Sequence, residues 1–433
     1  MKRQHVITLL KLLAVAAIMF GVFWNIAWAD RYEVCEADGS TVRIEMTGSI
    51  EGRWDDPEEV VFLPAAEPGA PAPSRIVKRP GKQEDGTVIK VSPGLPTFLR
   101  NLYLPLFLLG ALCYLLTISI SATRWWWLLR VNDLRVTWWD VFRFTWIGIF
   151  FNNVVPGQTG GDVVKAIYIM KHCPGGRVRS LVSVFVDRVM GLGSLALLGG
   201  VVVLVVVLSR EDPEGHFHNL AMAIWGVLGL VGLLGVIGFS KRIRRLVRLD
   251  ELLNRLPGGL SRPLKNVDQA IHFYRAHGKG ILAWLFAGML NHTVMVSSVM
   301  FMGMALGMGK PGVGVPVIDY FVLVPILTII SAIPIGPNGW GVGEFAYGIL
   351  FAAVCAGYLE GVTDPAFLMA TQAVALSVLY RIHLTLWSLA GGILILTDRN
   401  RVTRAEFEEE IAREQGDDEQ AGDVGEGLTD TDH

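Results

Sequence analysis

The chain has 433 residues, of which 52% are hydrophobic and 18% charged, and its mean hydropathy is +0.44. That balance excludes an ordinary soluble domain, because so large an apolar excess has to face lipid. The formal net charge of −2 hides a division: residues 406–433 hold twelve carboxylates against one arginine, Arg413, so the apolar body is basic.

In chain order, an apolar run at 12–29 predicts an N-terminal transmembrane helix, domain 1–29. Lys2, Arg3 and the Ala27-Trp28-Ala29 ending also fit a cleaved signal peptide, but the run exceeds the ~7 to 15 apolar residues of a signal core. Residues 30–99 follow as a small β-rich extracytoplasmic insert. Polar and apolar residues alternate at 41–46 and 87–91, and the Ala/Pro-rich stretch 64–73 reads as a linker. Residues 100–397 form the membrane domain. Apolar runs of the length that crosses a hydrocarbon core of about 30 Å lie at 101–121, 181–208, 220–239, 281–308 and 366–396, with less regular stretches at 137–155 and 316–357. The basic segment 241–279 predicts amphipathic helices at the membrane surface, where its cations meet anionic head groups, although ordinary positive-inside charge explains it as well. Residues 398–433 read as an acidic, disordered cytoplasmic tail. The fold class is an all-α polytopic membrane protein of six to eight transmembrane helices, with inverted-repeat re-entrant hairpins and the β-rich insert.

Basic loops lie on the cytoplasmic side. The basic stretches 2–11, 124–135, 165–179, 241–279 and 399–404 then put both termini inside and the insert outside. The loops on both sides of 137–155 are basic, so that stretch enters and leaves on one face as a hairpin. For 316–357 a hairpin and two crossing helices stay open.

Two stretches repeat one plan. Asp140 opens an apolar run that leads through Asn153, Pro156, Gly160 and Gly161 to Asp162; Asp319 opens another that leads through Pro334, Pro337, Asn338, Gly341 and Gly343 to Glu344. The preceding spans run in opposite directions, so the copies form an inverted repeat, a transporter plan in which broken helices meet at a substrate site. Pro and Gly end the helices and free backbone N–H and C=O groups. A helix N-terminus at Gly161 or Gly343 attracts phosphate, whereas Asp162 and Glu344 there would repel it unless paired or protonated. A loop followed by a first-turn acid explains each copy taken singly.

Asp187 and Arg188 lie six to seven residues into the run 181–208, where ionisable residues pair or line a path, or sit at the interface with the arginine snorkelling. Arg381 is half-way along the last span and needs a partner: Glu344, Asp319, Asp187 or a lipid phosphate. His383 reads as a packing histidine, and Asn291 with His292 as helix-to-helix hydrogen bonding or a substrate contact. The four cysteines, Cys35, Cys113, Cys173 and Cys355, form no CxxC pair, and no metal or cofactor is expected.

The sequence NVVPGQTGGDVVK at 153–165, then Val186-Asp187-Arg188 with Gly191 and Gly193, then PNGWGVGE at 337–344, resembles the transmembrane region of the lysylphosphatidylglycerol synthase family. The resemblance covers roughly 100–397. It implies a flippase-like membrane region in a bacterial cytoplasmic membrane, and in multiple peptide resistance factors such a region flips an aminoacylated phospholipid made by a separate soluble domain. No synthetase domain is present here, so the family's name does not give the activity.

The expected function is a lipid flippase or scramblase, not an enzyme, whose partner is a membrane lipid and not nucleic acid. The head group would meet a polar site built from Asn153, Pro156, Gly160, Gly161, Asp162, Lys165, Asp187, Arg188, Asn338, Gly341, Gly343, Glu344 and Arg381. Pre-placed polar groups would lower the desolvation barrier there. The alternatives are a membrane-embedded transferase using a lipid-linked donor, with Asp162 or Glu344 as base or metal ligand, and an ion-coupled small-solute transporter. A partner for the insert and a homo-oligomer are left open.

Overall fold

The computed structural model describes residues 20–21, 24, 26–36, 41–52, 54, 59–65, 75–78, 80–83, 85–154, 160–173, 176–209, 222, 224–226, 228–229, 233, 273–309, 314–331, 340–359 and 364–397. The spans expected at 12–29 and 220–239 lie largely outside these residues, as do the helices expected in 241–279 and the tail 398–433. Nine α-helices are described: α1 (Leu95–Arg100), α2 (Leu104–Val131), α3 (Trp138–Val154), α4 (Gly160–His172), α5 (Arg177–Ser209), α6 (Gly278–Ala305), α7 (Val317–Ser331), α8 (Val342–Cys355) and α9 (Pro365–Thr397). By length and composition α2, α5, α6, α9 and the stretch Val342–Leu359 can each cross a membrane. The protein is thus a polytopic helical membrane protein with a small β-sheet near its N-terminus.

The chain divides into two compact units, Met1–Tyr114 with Met295–Leu386, and Leu115–Val294 with Trp387–His433. The first unit carries the sheet. Its strands β1 (Asp30–Cys35), β2 (Val42–Glu51), β3 (Val60–Pro64), β4 (Ile76–Lys78), β5 (Gly81–Lys82) and β6 (Val88–Ser92) order as β4-β3-β2-β1-β6-β5, antiparallel throughout. Tyr32 sits opposite Met46 on one side and Val91 on the other. With Ile50, Val60, Phe62 and Ile89 it forms a small core. Asp30 is buried at the start of β1, and its carboxylate accepts the Ile50 N–H at 2.5 Å, the Gly94 N–H at 2.6 Å and the Thr97 hydroxyl at 2.8 Å. Three charge-assisted bonds offset its desolvation and staple the sheet to α1.

The sheet is also fastened to α9 within that unit. The Leu95 N–H donates to the Ala27 carbonyl, the Ala27 N–H donates to the Thr371 hydroxyl at 3.3 Å, and the Arg31 guanidinium lies 5.2 Å over the Phe367 ring. Helices α7 and α8 form an antiparallel pair, since Tyr320 near the start of one meets Phe351 near the end of the other at 5.7 Å. With 15 residues α7 is about 22 Å long, short of the core thickness.

In the second unit α3 and α4 form the matching antiparallel pair. Phe144 meets Tyr168 at 5.1 Å, and His172 lies 3.8 Å from Asp140. Thr137 and Asp140 cap the start of α3 reciprocally, through a hydroxyl-to-carboxylate bond of 2.6 Å and an N–H to hydroxyl bond of 3.2 Å. Val141, Phe144, Ile147, Val164 and Ile169 close the hairpin onto Trp125 and Leu129 of α2.

Two sequence expectations differ from the structure. The basic stretch 124–135 is not all loop: α2 continues ten residues past the expected end at 121, so Arg124 lies inside the helix and is buried. The loop expected at 165–179 is also mostly helix, because α4 runs to His172 and α5 begins at Arg177. Arg124 and Lys165, counted as loop charge, are neutralised inside the protein by a carboxylate, Asp187, and so need not sit in water.

Candidate functional site

Glycine builds the first hairpin. A side chain at Gly148 would meet the Lys165 stem at 2.9 Å, and one at Gly161 would meet the Gly148 carbonyl and the Asn152 amide. The two helices therefore approach closely at this level, where α4 begins. The Asn152 Oδ1 accepts the Gly161 N–H at 2.8 Å, so an amide expected to face an anion is already satisfied. Asn153, one residue along, donates back to the Ile149 carbonyl of its own helix at 3.1 Å.

From this close approach the charged groups of α4 reach α5 and α2. Asp187 lies between two cations, with Arg124 Nε 2.7 Å from one carboxylate oxygen and Lys165 Nζ 3.4 Å from the other. The three side chains are 8%, 12% and 11% exposed for Arg124, Lys165 and Asp187, so the cluster is largely dry. Lys165 also lies 4.2 Å over the Trp125 ring, whose indole N–H donates to Ser183. Gly288 on α6 leaves room for Ser194 of α5, with whose side chain a Cβ there would collide. Next to this cluster, Arg188 Nη1 pairs with Asp162 at 3.0 Å, and there the side chains are 42% and 28% exposed. Arg124 and Lys165 thus share one carboxylate, and Arg188 meets the next.

Gly341 opens the second hairpin's return helix with φ +85°, a backbone state that favours glycine. Glu344 folds back to accept the Gly341 N–H at 2.6 Å and the Ser377 hydroxyl at 3.2 Å. Its Oε1 also lies 2.5 Å from Arg381 Nε. Both partners are sealed, at 0% and 6% side-chain exposure. A Cβ on Gly343 would collide with the Arg381 guanidinium, so only glycine leaves room for the pair. Trp340 lies 5.6 Å from the same guanidinium.

The structure therefore brings Asp162 to Arg188, Lys165 to Asp187, and Glu344, one of the partners open for Arg381 in the sequence, to Arg381. Gly160 is buried in the first turn of α4. Pro156 and Asn338 lie outside the described residues. Arg124 and Asn152 were missed. Arg124 stands in a Trp-rich helix end that looks like an interface, and its only signal was an arginine following an unbroken apolar run. Asn291 donates to Ser121 at 3.1 Å and His292 meets the Gly191 carbonyl at 3.0 Å, so both have helix-to-helix partners. His383 bonds the Tyr380 carbonyl and stacks edge-on to Tyr114. Among the described residues no three His, Cys, Asp or Glu gather as a metal site.

A family model for the lysylphosphatidylglycerol synthase transmembrane region matches residues 94–392. A UPF0104 membrane protein of Pyrococcus horikoshii is 36% identical over 85 residues, 19% of this chain and 25% of that relative, so the match spans a quarter of the relative's length. No solved structure matches. The matched region runs from the end of the sheet through both hairpins and almost to the end of α9, and on that extent the chain belongs to the lysylphosphatidylglycerol synthase transmembrane-region family.

Proposed function

We propose that the protein moves a phosphate-bearing lipid, a phospholipid or a lipid-linked head group, across the bilayer as a flippase or scramblase, without chemistry of its own. The observation that carries this reading is the gathering of three cations, two of them nearly dry, beside the first hairpin. Arg124 and Lys165 share Asp187, and Arg188 pairs with Asp162. A phosphodiester is an anion that such a group of cations attracts, and guanidinium binds it through two parallel bonds. Arg188 is the accessible member and offers the first contact. Lys165, held by one long ion pair and a ring face, is the member best able to change partner. Lowering the desolvation barrier of the head group while the acyl chains stay in lipid is enough to speed crossing.

In this reading α3 and α4 form a re-entrant hairpin, whose limbs of 17 and 13 residues are about 26 and 20 Å long and fall short of a full crossing. The membrane is a bacterial cytoplasmic membrane with both chain termini inside and the sheet outside. Cysteines at 130 and 171 are then labelled from the same, cytoplasmic face. Labelling of 171 from outside while 130 stays inside would overturn the hairpin.

The test of function is reconstitution into liposomes carrying dye-labelled lipids with phosphodiester, phosphomonoester or neutral head groups. Accelerated loss of dye to an external quencher is expected for the phosphate-bearing lipids. Uptake of labelled small solutes with no lipid movement would overturn the reading in favour of a solute transporter.

A further inference from the structure

We propose that a cavity in the first unit, outside the ionic clusters, binds a neutral hydroxyl-bearing group of about the size of a monosaccharide. The cavity measures about 360 Å³ and lies between Trp54, the turn containing Asn101 and Tyr103, and the end of α6 with the turn 306–307 that follows it. That volume is within the range of about 300–1,000 Å³ typical of small-ligand sites.

Its walls are fixed. The Trp54 ring is held edge-on against Phe98, at 5.5 Å between centroids and 75° between planes, and Phe98 is fully buried. Asn101 ends α1, donating its backbone N–H to Thr97. Two residues on, the Tyr103 N–H donates to the Ala305 carbonyl, which joins the two turns. Gly307 has φ +66°, and a Cβ there would meet nothing within 4 Å, so the backbone at this rim stands open.

Three features define the ligand. None of the described residues lining the cavity carries a charge, which disfavours phosphate or carboxylate. The Asn101 Nδ2 is buried and makes no hydrogen bond within the protein, which disfavours a purely apolar occupant, because a buried unsatisfied amide is costly. A hydroxyl is both donor and acceptor, so it satisfies that amide in either of its two orientations. The indole of Trp54 and the ring of Tyr103 then offer amphipathic surface to the C–H faces of a polyol. Sugars and glycerol share this chemistry, and they reach the cavity either free or as a lipid head group.

The experiment uses the full chain. Saturation-transfer NMR in phosphatidylcholine nanodiscs probes methyl β-glucoside and glucose 1-phosphate. Native mass spectrometry from an amine-oxide detergent compares retention of monoglucosyl diacylglycerol with that of diacylglycerol. Binding of the glucoside, or retention of the glucolipid over its parent, is expected; the first result identifies a free ligand and the second a lipid-borne one. Asn101→Leu should weaken either by about ten-fold, the loss of one buried hydrogen bond. Trp54→Leu is read beside it, since it changes a second wall and leaves the Asn101 amide in place, and should also weaken binding. Arg188→Ala should leave this binding unchanged, which separates the cavity from the proposed lipid-phosphate site. Absence of both signals in the wild type, binding as tight as wild type in both Asn101→Leu and Trp54→Leu, or tighter binding of glucose 1-phosphate than of the glucoside would overturn the proposal.

Discussion

The two hairpins share a plan and differ in electrostatics. In each, a glycine in the first turn of the return helix makes room, the next residue is a carboxylate, and the following 33-residue helix supplies an arginine: Gly161, Asp162 and Arg188 in one, Gly343, Glu344 and Arg381 in the other. Yet Asp162–Arg188 is partly exposed, at 28% and 42%, while Glu344–Arg381 is closed at 0% and 6%. The first hairpin adds Arg124, Lys165 and Asp187, a further ionic cluster beside its pair. The second seals its pair and adds neutral bonds from Ser377 and Gly341 to the carboxylate. The same sequence motif therefore serves as a structural lock in one place and as an accessible charged group in the other, and burial separates the two.

The largest effect that would sharpen this contrast belongs to the lock. Replacing Arg381 with Ala, or Glu344 with Gln, leaves one buried partner uncompensated, and about 3–5 kcal/mol of stability should be lost. Thermal unfolding in nanodiscs measures it. The double replacement of Glu344 and Arg381 by Met should be milder than either single change, because a buried pair can be exchanged for apolar volume at little cost. If both single variants unfold like wild type, the second hairpin is not a lock and the contrast fails.

Next comes Asp187. Changing it to Asn leaves Arg124 and Lys165 facing each other in a dry site without their shared counter-charge. Stability should fall by several times the loss seen for Lys165→Met, which keeps the 2.7 Å Arg124–Asp187 pair. Equal losses in the two variants would show that the two cations do not share Asp187.

How much of this was legible follows from the same residues. The apolar runs at 101–121, 181–208, 281–308 and 366–396 foretold helices long enough to cross, because span length is set by bilayer thickness, and the Gly-acid motif marked where both return helices begin. Arg381 was recognisable as a buried cation because it stands in the middle of a run with no other charge. Arg124 was not, since three tryptophans follow it and a Trp-flanked arginine at the end of an apolar run has the composition of an interface. Only the pairing with Asp187, 63 residues away, reveals it. Asn152 and Asn153 differ by one step on a helix, about 100° of rotation, and composition cannot tell which faces Gly161. The sheet's alternation showed in sequence, but not its fastening to α9 through Ala27–Thr371 and Arg31–Phe367.

A smaller effect on stability, with a larger one on function, is expected at Arg188. Its pair is partly exposed, so Arg188→Ala should change stability by no more than about 1 kcal/mol. Deleting the sheet by replacing residues 32–95 with a flexible linker should have the smallest effect on transport: the lipid movement of the first hairpin persists in a folded variant, while the first unit melts earlier for want of the Asp30 bonds. Loss of all lipid movement in a folded deletion variant would place the sheet in the pathway and favour an extracytoplasmic enzyme.

The most direct measurement compares wild type and Arg188→Ala in proteoliposomes containing a dye-labelled phosphodiester lipid and, separately, a neutral lipid with the same chains. Wild type should accelerate the phosphodiester lipid over the neutral one, and Arg188→Ala should remove about ten-fold or more of that preference, the equivalent of one charge-assisted hydrogen bond, at nearly unchanged stability. Equal rates for both lipids in wild type, or an unchanged preference in the variant, would contradict a role for the first hairpin's cations in carrying the head group.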